Sequence, residues 1–406
     1  VTWESTDETV VEVTPSGRIK AVGVGKATVI MTSATNPDLH KYCEVTVEEI
    51  QDVAMNGMLV DAESKINWVS FNLLSADQWT KNFVESEYDT FVAGGMHDDV
   101  IYVHDGLTMY GVDANTFEVT KYTDIHETWL WSDAAQGPET PNGYFDRLVG
   151  IISGGLSIGV MDVETGMGYE VPHYSEFTTD KAALIAYVGP TTYHNGFELC
   201  YGHEYYILSE NGNLYHDILY AFYDRDADDI FYDDKLTLVG ETGLNLKGAA
   251  NVLSDVKASM YYDLANDYLI VSAYTKGETA SVYVFQPDAC APVKVGSFGT
   301  NNWPVLSLYS YDALTDVTVK VKPGQASCYV GETVQLSASV YMAEYDRTVT
   351  WSSSDETIAT VNANGVVTAL KAGTVTITAT SKEANDAHQL VSASATITVK
   401  PLAELD

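Results

Sequence analysis

The sequence predicts an all-β protein in which β-sandwich modules at the two ends flank a β-propeller. Three observations carry that expectation. The two ends of the chain repeat one another in register, short runs of alternating apolar residues fill both of them, and a strand–turn–strand unit recurs through the middle. Alternation at period two puts one face of each run into a core, which is the mark of an antiparallel strand.

The terminal repeat comes first. Residues 1–33 read VTWESTDETVVEVTPSGRIKAVGVGKATVIMTS and residues 349–381 read VTWSSSDETIATVNANGVVTALKAGTVTITATS, aligned without a gap at the constant offset that takes Trp3 to Trp351. Within 315–406, Val317, Val319 and Val321 alternate before Pro323-Gly324, and Val334, Leu336, Ala338 and Val340 alternate after it. Val349 and Trp351, then Val367 and Ala369, then Val375, Ile377 and Ala379, then Ala395, Ile397 and Val399 continue the pattern, with Asn362 to Gly365 as a turn. Short alternating strands between Gly and Asn turns predict an antiparallel sandwich with Trp351 in its core.

This stretch resembles the bacterial Ig-like domain, group 2 family. The residues that carry the resemblance are VKPGQASCYVGETVQL followed by VTWSSSDETIATVNANGVVTALKAGTVTITATS. The resemblance implies a stalk or adhesive unit of a bacterial surface protein and brings no catalytic residue with it. The amino-terminal copy, residues 1–50, starts at the tryptophan strand and has no counterpart of 317–348. It is expected to be a truncated module, with further modules of the same parent chain upstream.

The middle, residues 51–314, has a different texture. It holds all the tyrosines except Tyr42, Tyr329, Tyr341 and Tyr345. Paired strands turn near 64, at Asp105-Gly106, at Gly154-Gly155, at Asn211-Gly212 and near Gly277, often followed by a short turn containing Asp and Thr. A propeller blade of four strands repeats at roughly 40 to 50 residues, and a lone sheet of that size cannot bury both its faces. Five hairpins favour five blades, with six or seven open if longer connections hold more strands. The run VLSLYSYD at 305–312 is expected to pair with the first blade and close the ring. The region resembles a β-propeller of no identifiable family.

Composition narrows the function classes. With 57 acidic and 21 basic residues, the net charge of −36 repels nucleic acid and anionic lipid. No apolar run reaches the roughly 18 residues that a membrane-spanning helix needs, so direct insertion into a bilayer is not expected. Cys43, Cys200, Cys290 and Cys328 are scattered without CxxC spacing, which argues against zinc and against a disulfide-stapled scaffold. Cys43 alternates with Val45 and Val47 as a buried strand residue would; a Cys200–Cys290 bridge and free buried thiols are both open, with free thiols favoured.

Two places could carry chemistry. In IHETWLWSDAAQG, residues 125–137, Trp129 and Trp131 share a face if the segment is extended, flanked by His126 and Asp133. Aromatic platforms beside carboxylates suit sugar rings and protein hot spots. Packing between blades is the competing reading, and Trp303 has the same ambiguity. In YDRDADDIFYDD, Asp224, Asp226 and Asp228 alternate and could turn toward one calcium ion. The loop lacks the glycine and the terminal glutamate of a calcium loop, so a solvated acidic loop competes with that reading. No motif demands a cofactor, and there is no HExxH, GxSxG or GxxxxGK[ST].

The residues therefore point to a non-catalytic bacterial surface or secreted protein. Its propeller would bind a host or cell-wall glycan or a surface protein while the Ig-like modules hold it in place. Two alternatives stand beside that reading: an extracellular glycoside hydrolase or lyase using central carboxylates, and a purely structural spacer.

Overall fold

The computed structural model describes the chain except residues 61–65, 79, 83–93, 98–99, 115, 126–129, 137–146, 164, 167, 172–174, 195–198, 225–228, 299–304, 311–316, 342–347 and 402–406; at some positions beside these segments it describes the backbone alone. Apart from single-turn 3-10 helices, the regular structure among the described residues is β-strand.

The middle is propeller-like. Five antiparallel sheets succeed one another along the chain among the described residues. The second is built from Met96–His97, Val100–His104, Thr108–Asp113 and Val119–Asp124, and the third from Ala134–Gln136, Arg147–Ile152, Ser157–Asp162 and Gly168–Val171. The fourth runs Ala182–His194, Leu199–Ser209, Asn213–Asp224 and Asp229–Asp234, with Thr237–Glu241 added against the start of its third strand. The fifth is Val256–Asp263, Tyr268–Thr275, Ser281–Phe285 and Val293–Ser297.

The first sheet shows how the set closes. Ala54–Val60, Ile66–Asn72 and Thr80–Asn82 supply three strands in chain order. The position that the leading strand holds in the other sheets is taken by Val305–Tyr309, which pairs antiparallel with Ala54–Val60. The expected closing strand is therefore present at Val305–Tyr309; residues 311 and 312 of the expected run lie outside the described residues. Joining the two ends of the middle in one sheet removes the open edges that a linear array would leave.

The hairpins turn where the Gly and Asn signals fall. His104 pairs with Met109 around Asp105-Gly106, Ile152 with Ser157 around Gly154-Gly155, Leu208 with Leu214 around Asn211-Gly212, and Ala273 with Ser281 around Gly277. The Asp–Thr turns are side-chain capped: Thr116 N–H donates to Asp113 Oδ1 at 2.7 Å, and Thr165 N–H to Asp162 Oδ1 at 2.8 Å.

Each sheet buries its faces against its neighbours, in cyclic order. Met58, Trp68, Ile101 and Tyr110 join the first sheet to the second, and Tyr102, Met109, Leu148 and Met161 join the second to the third. Val149, Ile158, Ile185 and Ile207 lie between the third and fourth, and Leu184, Leu208, Met260 and Val271 between the fourth and fifth. Ile270, Val282, Leu59 and Phe71 then return from the fifth to the first. A sheet buried on both faces reads as an apolar run rather than an alternation, and Val100–His104 and Tyr268–Thr275 are of that kind.

The carboxy-terminal segment is a sandwich. Val349–Ser353, Gly373–Ala384 and Leu390–Lys400 form one antiparallel set, extended by Gln325–Tyr329 running parallel to the last strand. Thr333–Gln335 pairs with Val366–Ala369, and Thr318–Lys322 with Ser337–Tyr341. At the amino terminus, Thr2–Ser5, Gly25–Thr32 and His40–Val47 repeat the three-strand set, and Val11–Val13 with Ile19–Ala21 repeat the small hairpin.

The residues shared by the two copies have local physical reasons. Gly17 and Gly365 both sit at positive φ (86° and 75°), and a Cβ on either would stand within 3.0 Å of the ring of Trp3 or Trp351. Asp7 and Asp355 accept both the N–H and the hydroxyl of Thr9 and Thr357, at 2.9 and 2.6 Å in each copy. The tryptophan, the glycine and the Asp-Glu-Thr run are thus turn and packing devices, not site residues.

One expectation fails here. Cys43 is exposed, not buried. Its counterpart by strand register is Ala395, which is fully buried under the strands of 318–341 in the other copy. No described strand covers that face of the amino-terminal copy. Cys290 and Cys328 are free thiols as well, which removes the Cys200–Cys290 bridge.

Candidate functional site

Two polar groupings stand out from the packed apolar interior, one at the centre of the ring and one at its junction with the carboxy-terminal module. The leading strands lie against one another in order from the second sheet through the fifth to Val305–Tyr309, and small residues let them approach. A Cβ on Gly95 would fall 2.5 Å from Ala135 Cα. Polar side chains cross-link them. Gly94 N–H donates to Ser307 Oγ at 3.0 Å, Leu308 N–H to Ser259 Oγ at 3.3 Å, and Ile185 N–H to Asp133 Oδ2 at 3.0 Å.

This grouping absorbs two of the expected site residues. Trp131 has no exposed surface and packs with Tyr102, Leu148 and Met161 between the second and third sheets. It therefore cannot offer a platform to a sugar or a partner. The reason is local: Ser132 N–H donates to Ile151 O, which ties the segment to its sheet before Ala134–Gln136 begins and turns the indole inward. Asp133 is buried too, and loss of solvation pushes its carboxyl well above the usual carboxylate range, while the Ile185 and Ala134 N–H groups pull the other way.

His104 completes this interior network, and no sequence motif marked it. Its Nε2–H donates to Trp131 O at 2.8 Å, its Nδ1 accepts from Gly106 N–H at 3.2 Å, and its ring meets the indole edge-on at 4.5 Å. Both nitrogens are used as in the neutral ring. Burial is the main reason that its pKa falls to about 4.

The second grouping lies between the fourth and fifth sheets. Tyr206 packs 5.4 Å from Tyr262 on one side and 5.4 Å from His216 on the other. His216 Nε2 is 3.4 Å from Glu204 Oε2. Tyr262 donates its hydroxyl to Asp267 Oδ1 at 2.5 Å, and Lys322 of the carboxy-terminal module reaches the same oxygen at 2.9 Å. Burial, then Asp267, Asp288, Glu204 and Cys290, hold the Tyr206 hydroxyl firmly protonated. Burial lowers the pKa of the neighbouring Lys320, against the pull of Asp267 and Asp263. Lys322 is the cation that this acidic, aromatic grouping holds, through Asp267. The sequence signal was the TVKVK run, which brings two lysines onto one strand of a strongly acidic chain.

The remaining expected residues are not brought together. His126, Trp129 and Trp303 lie outside the described residues, as do Asp226 and Asp228. Asp224 ends its strand opposite Asp229, with only its backbone described. Among the described residues, no three His, Cys, Asp or Glu side chains gather as metal ligands would. No helix among them is long and apolar enough to cross a membrane.

Residues 1–43 and 316–392 match the bacterial Ig-like domain (group 2) family. The chain is also similar to a 3-O-alpha-D-galactosyl-alpha-L-arabinofuranosidase of Bifidobacterium longum, 49% identical over 84 residues, which is 20% of this chain and 7% of the relative. An alpha-L-arabinofuranosidase from the same species is 33% identical over 154 residues, 37% of this chain and 12% of the relative. The chain thus spans a small fraction of either relative. Among solved structures, TolB from Acinetobacter baumannii is similar with a TM-score of 0.31 and 10% identity, over 73% of this chain and 80% of that one.

Proposed function

We propose that residues 51–314 form a five-bladed β-propeller, carried between Ig-like modules at 1–50 and 315–406, that binds a glycan at or outside a bacterial surface without transforming it. The observation that carries this reading is the fate of the polar groups at the ring centre. Asp133, Ser259 and Ser307 are spent on hydrogen bonds between neighbouring strands, and His104 is spent on the carbonyl before Ser132. A centre built this way works as packing rather than as an open pocket of paired carboxylates. The glycan class is supported by the resemblance to two enzymes named for arabinofuranosides, and the surface setting by the Ig-like segments.

On this reading His126, Trp129 and Trp303 are ligand contacts, and Asp224, Asp226 and Asp228 take calcium. The test is a binding titration of arabinofuranose- and galactose-containing polysaccharides against the wild type, Trp129→Ala and Trp303→Ala, with calcium and with a chelator. Loss of one aromatic contact worth about 1.4 kcal/mol weakens binding about tenfold. A panel that finds no glycan ligand, or affinities unmoved by both substitutions, overturns the proposal.

A second reading draws on the relatives' names. The chain would then belong to a longer glycan-acting enzyme, and its middle would hold substrate or catalyse. Release of new reducing ends by the chain alone separates this reading from the first.

A further inference from the structure

We infer that an ionic latch holds the carboxy-terminal module on the ring: Lys322, with Lys320 beside it, on the turn at 263–268. The latch opens and closes while both parts stay folded. Strand geometry puts the lysines there. In Thr318–Lys322, Val319 and Val321 turn into the module and join its apolar clusters. The alternate positions Thr318, Lys320 and Lys322 therefore fall on the opposite face. The paired strand Ser337–Tyr341 sets Ser339 opposite Lys320 and Ser337 opposite Lys322, which adds two small hydroxyls to that face. The same strand lies against Ala182–His194 of the ring.

The ring presents a receptor that is shaped in advance. The turn joins Val256–Asp263 to Tyr268–Thr275. Asp263 folds it, accepting Ala265 N–H on Oδ1 at 3.1 Å and the Asn266 side-chain amide on Oδ2 at 2.7 Å. Asp267 then stands at φ 59°, a left-handed conformation that Asp adopts more readily than most residues. The Tyr262 hydroxyl fixes its carboxylate by donating to Oδ1 at 2.5 Å, and Lys322 Nζ reaches the same oxygen at 2.9 Å. The side chains of Lys322 and Asp267 are 28% and 23% exposed, so the pair is largely shielded yet still within reach of solvent. Asp267 and Asp263 also favour the charged form of Lys320.

The rest of the junction is weakly built. Among the described residues, the apolar clusters of the module are confined to 317–399 and those of the ring end at Tyr309, so no apolar core joins the two. Toward the amino-terminal module stand Lys400 with Glu44 at 2.9 Å and Lys26 with Gln325 at 3.4 Å, partly exposed contacts of the kind that contribute little. A polar interface between domains allows relative motion, whereas a large apolar one fixes it. The latch therefore sets how the ring stands on its module.

Small-angle scattering of the full chain tests this at about 0.1 M and about 1 M salt, where the screening length falls from about 10 Å to about 3 Å. The wild type is compact at the lower salt and expands at the higher. Lys322→Met and Asp267→Asn each raise the ratio of undocked to docked chain about tenfold at the lower salt, an effect of about 1.4 kcal/mol. The double variant does no more than either single one, because both remove the same contact. Lys322→Arg, which keeps the charge, stays compact. In every variant the ring and the module keep their own thermal unfolding transitions. Scattering that is the same for the wild type and Lys322→Met at both salts overturns the inference. So does an expansion that appears only together with the loss of either transition.

Discussion

The ring and the amino-terminal module face the same problem, a sheet with a free edge and a bare face, and they end differently. In the ring, Val305–Tyr309 returns to pair with Ala54–Val60, and every sheet gains two packed faces. In the module, the sheet of Thr2–Ser5, Gly25–Thr32 and His40–Val47 keeps a small core of Val10, Val11, Ala27 and Val29, and most of His40–Val47 is exposed. Both use the same β-branched residues. Burial is therefore a property of what returns to cover a strand, not of the strand's own sequence.

The largest effect that could break this comparison is in the ring. Trp131→Ala should cost about 3–5 kcal/mol, the usual loss for truncating a buried aromatic, read as a fall in the denaturant midpoint of the middle. Trp3→Ala, in the open module and only half-buried, should leave that midpoint unchanged. A ring that tolerates Trp131→Ala would mean that its interfaces are not packed.

Acid comes next. The folded-state pKa of His104 is depressed to about 4. The stability that it gives is complete above its ordinary value near 6.5 and is lost as pH falls from there toward 4, by about 3 kcal/mol at most. Asp133 acts oppositely: its raised pKa gives stability that is complete below the ordinary carboxyl value and is lost as pH rises. The difference in stability between the wild type and His104→Gln, followed from pH 7 to 4, isolates the histidine and should shrink on acidification.

A matched pair in the modules sharpens the contrast. Val367→Ala should cost about 2 kcal/mol, whereas its counterpart Ile19→Ala should cost less, because Ile19 is already 37% exposed and Val367 is fully buried. Equal costs would mean that the amino-terminal face is covered after all.

The smallest effect tests where the copies agree. Thr9 and Thr357 hydrogen-bond the Asp7 and Asp355 carboxylates and hold both below the usual range. That support is present above the ordinary carboxyl pKa and fades as pH falls through the lowered one. Asp7→Ala and Asp355→Ala should lower the Tm of their own modules slightly and by similar amounts, since each turn is local. A much larger loss at Asp355 would tie that turn to the covering strands.

What the sequence made legible follows from this locality. Turns set by Gly106, Gly154, Gly155, Gly212 and Gly277 fall where their φ-positive chemistry requires, and the repeat around Trp3 and Trp351 predicts two copies of one local design. Closure was legible because 305–309 is an apolar strand with no partner nearby in the chain. The direction in which a side chain points was not. Trp131 and Asp133 looked like a recognition loop because indole and carboxylate read the same whether they face solvent or a neighbouring sheet, and only the packing of the second sheet on the third decides. Cys43 failed for the complementary reason: its alternation is that of a buried strand, but its cover is not local. In the grouping of Tyr206, Tyr262, Asp267 and Lys322, only the lysine strand carried a sequence signal; its partners are too distant in the chain for any spacing to reveal.

On the proposed reading, the middle binds a glycan and leaves it intact. One titration decides it: arabinofuranose- and galactose-containing polysaccharides added to the full chain, with bound ligand and newly released reducing ends measured in the same samples. Saturable binding with no increase in reducing ends over prolonged incubation is the expected result. Reducing ends that accumulate in proportion to protein concentration would contradict it.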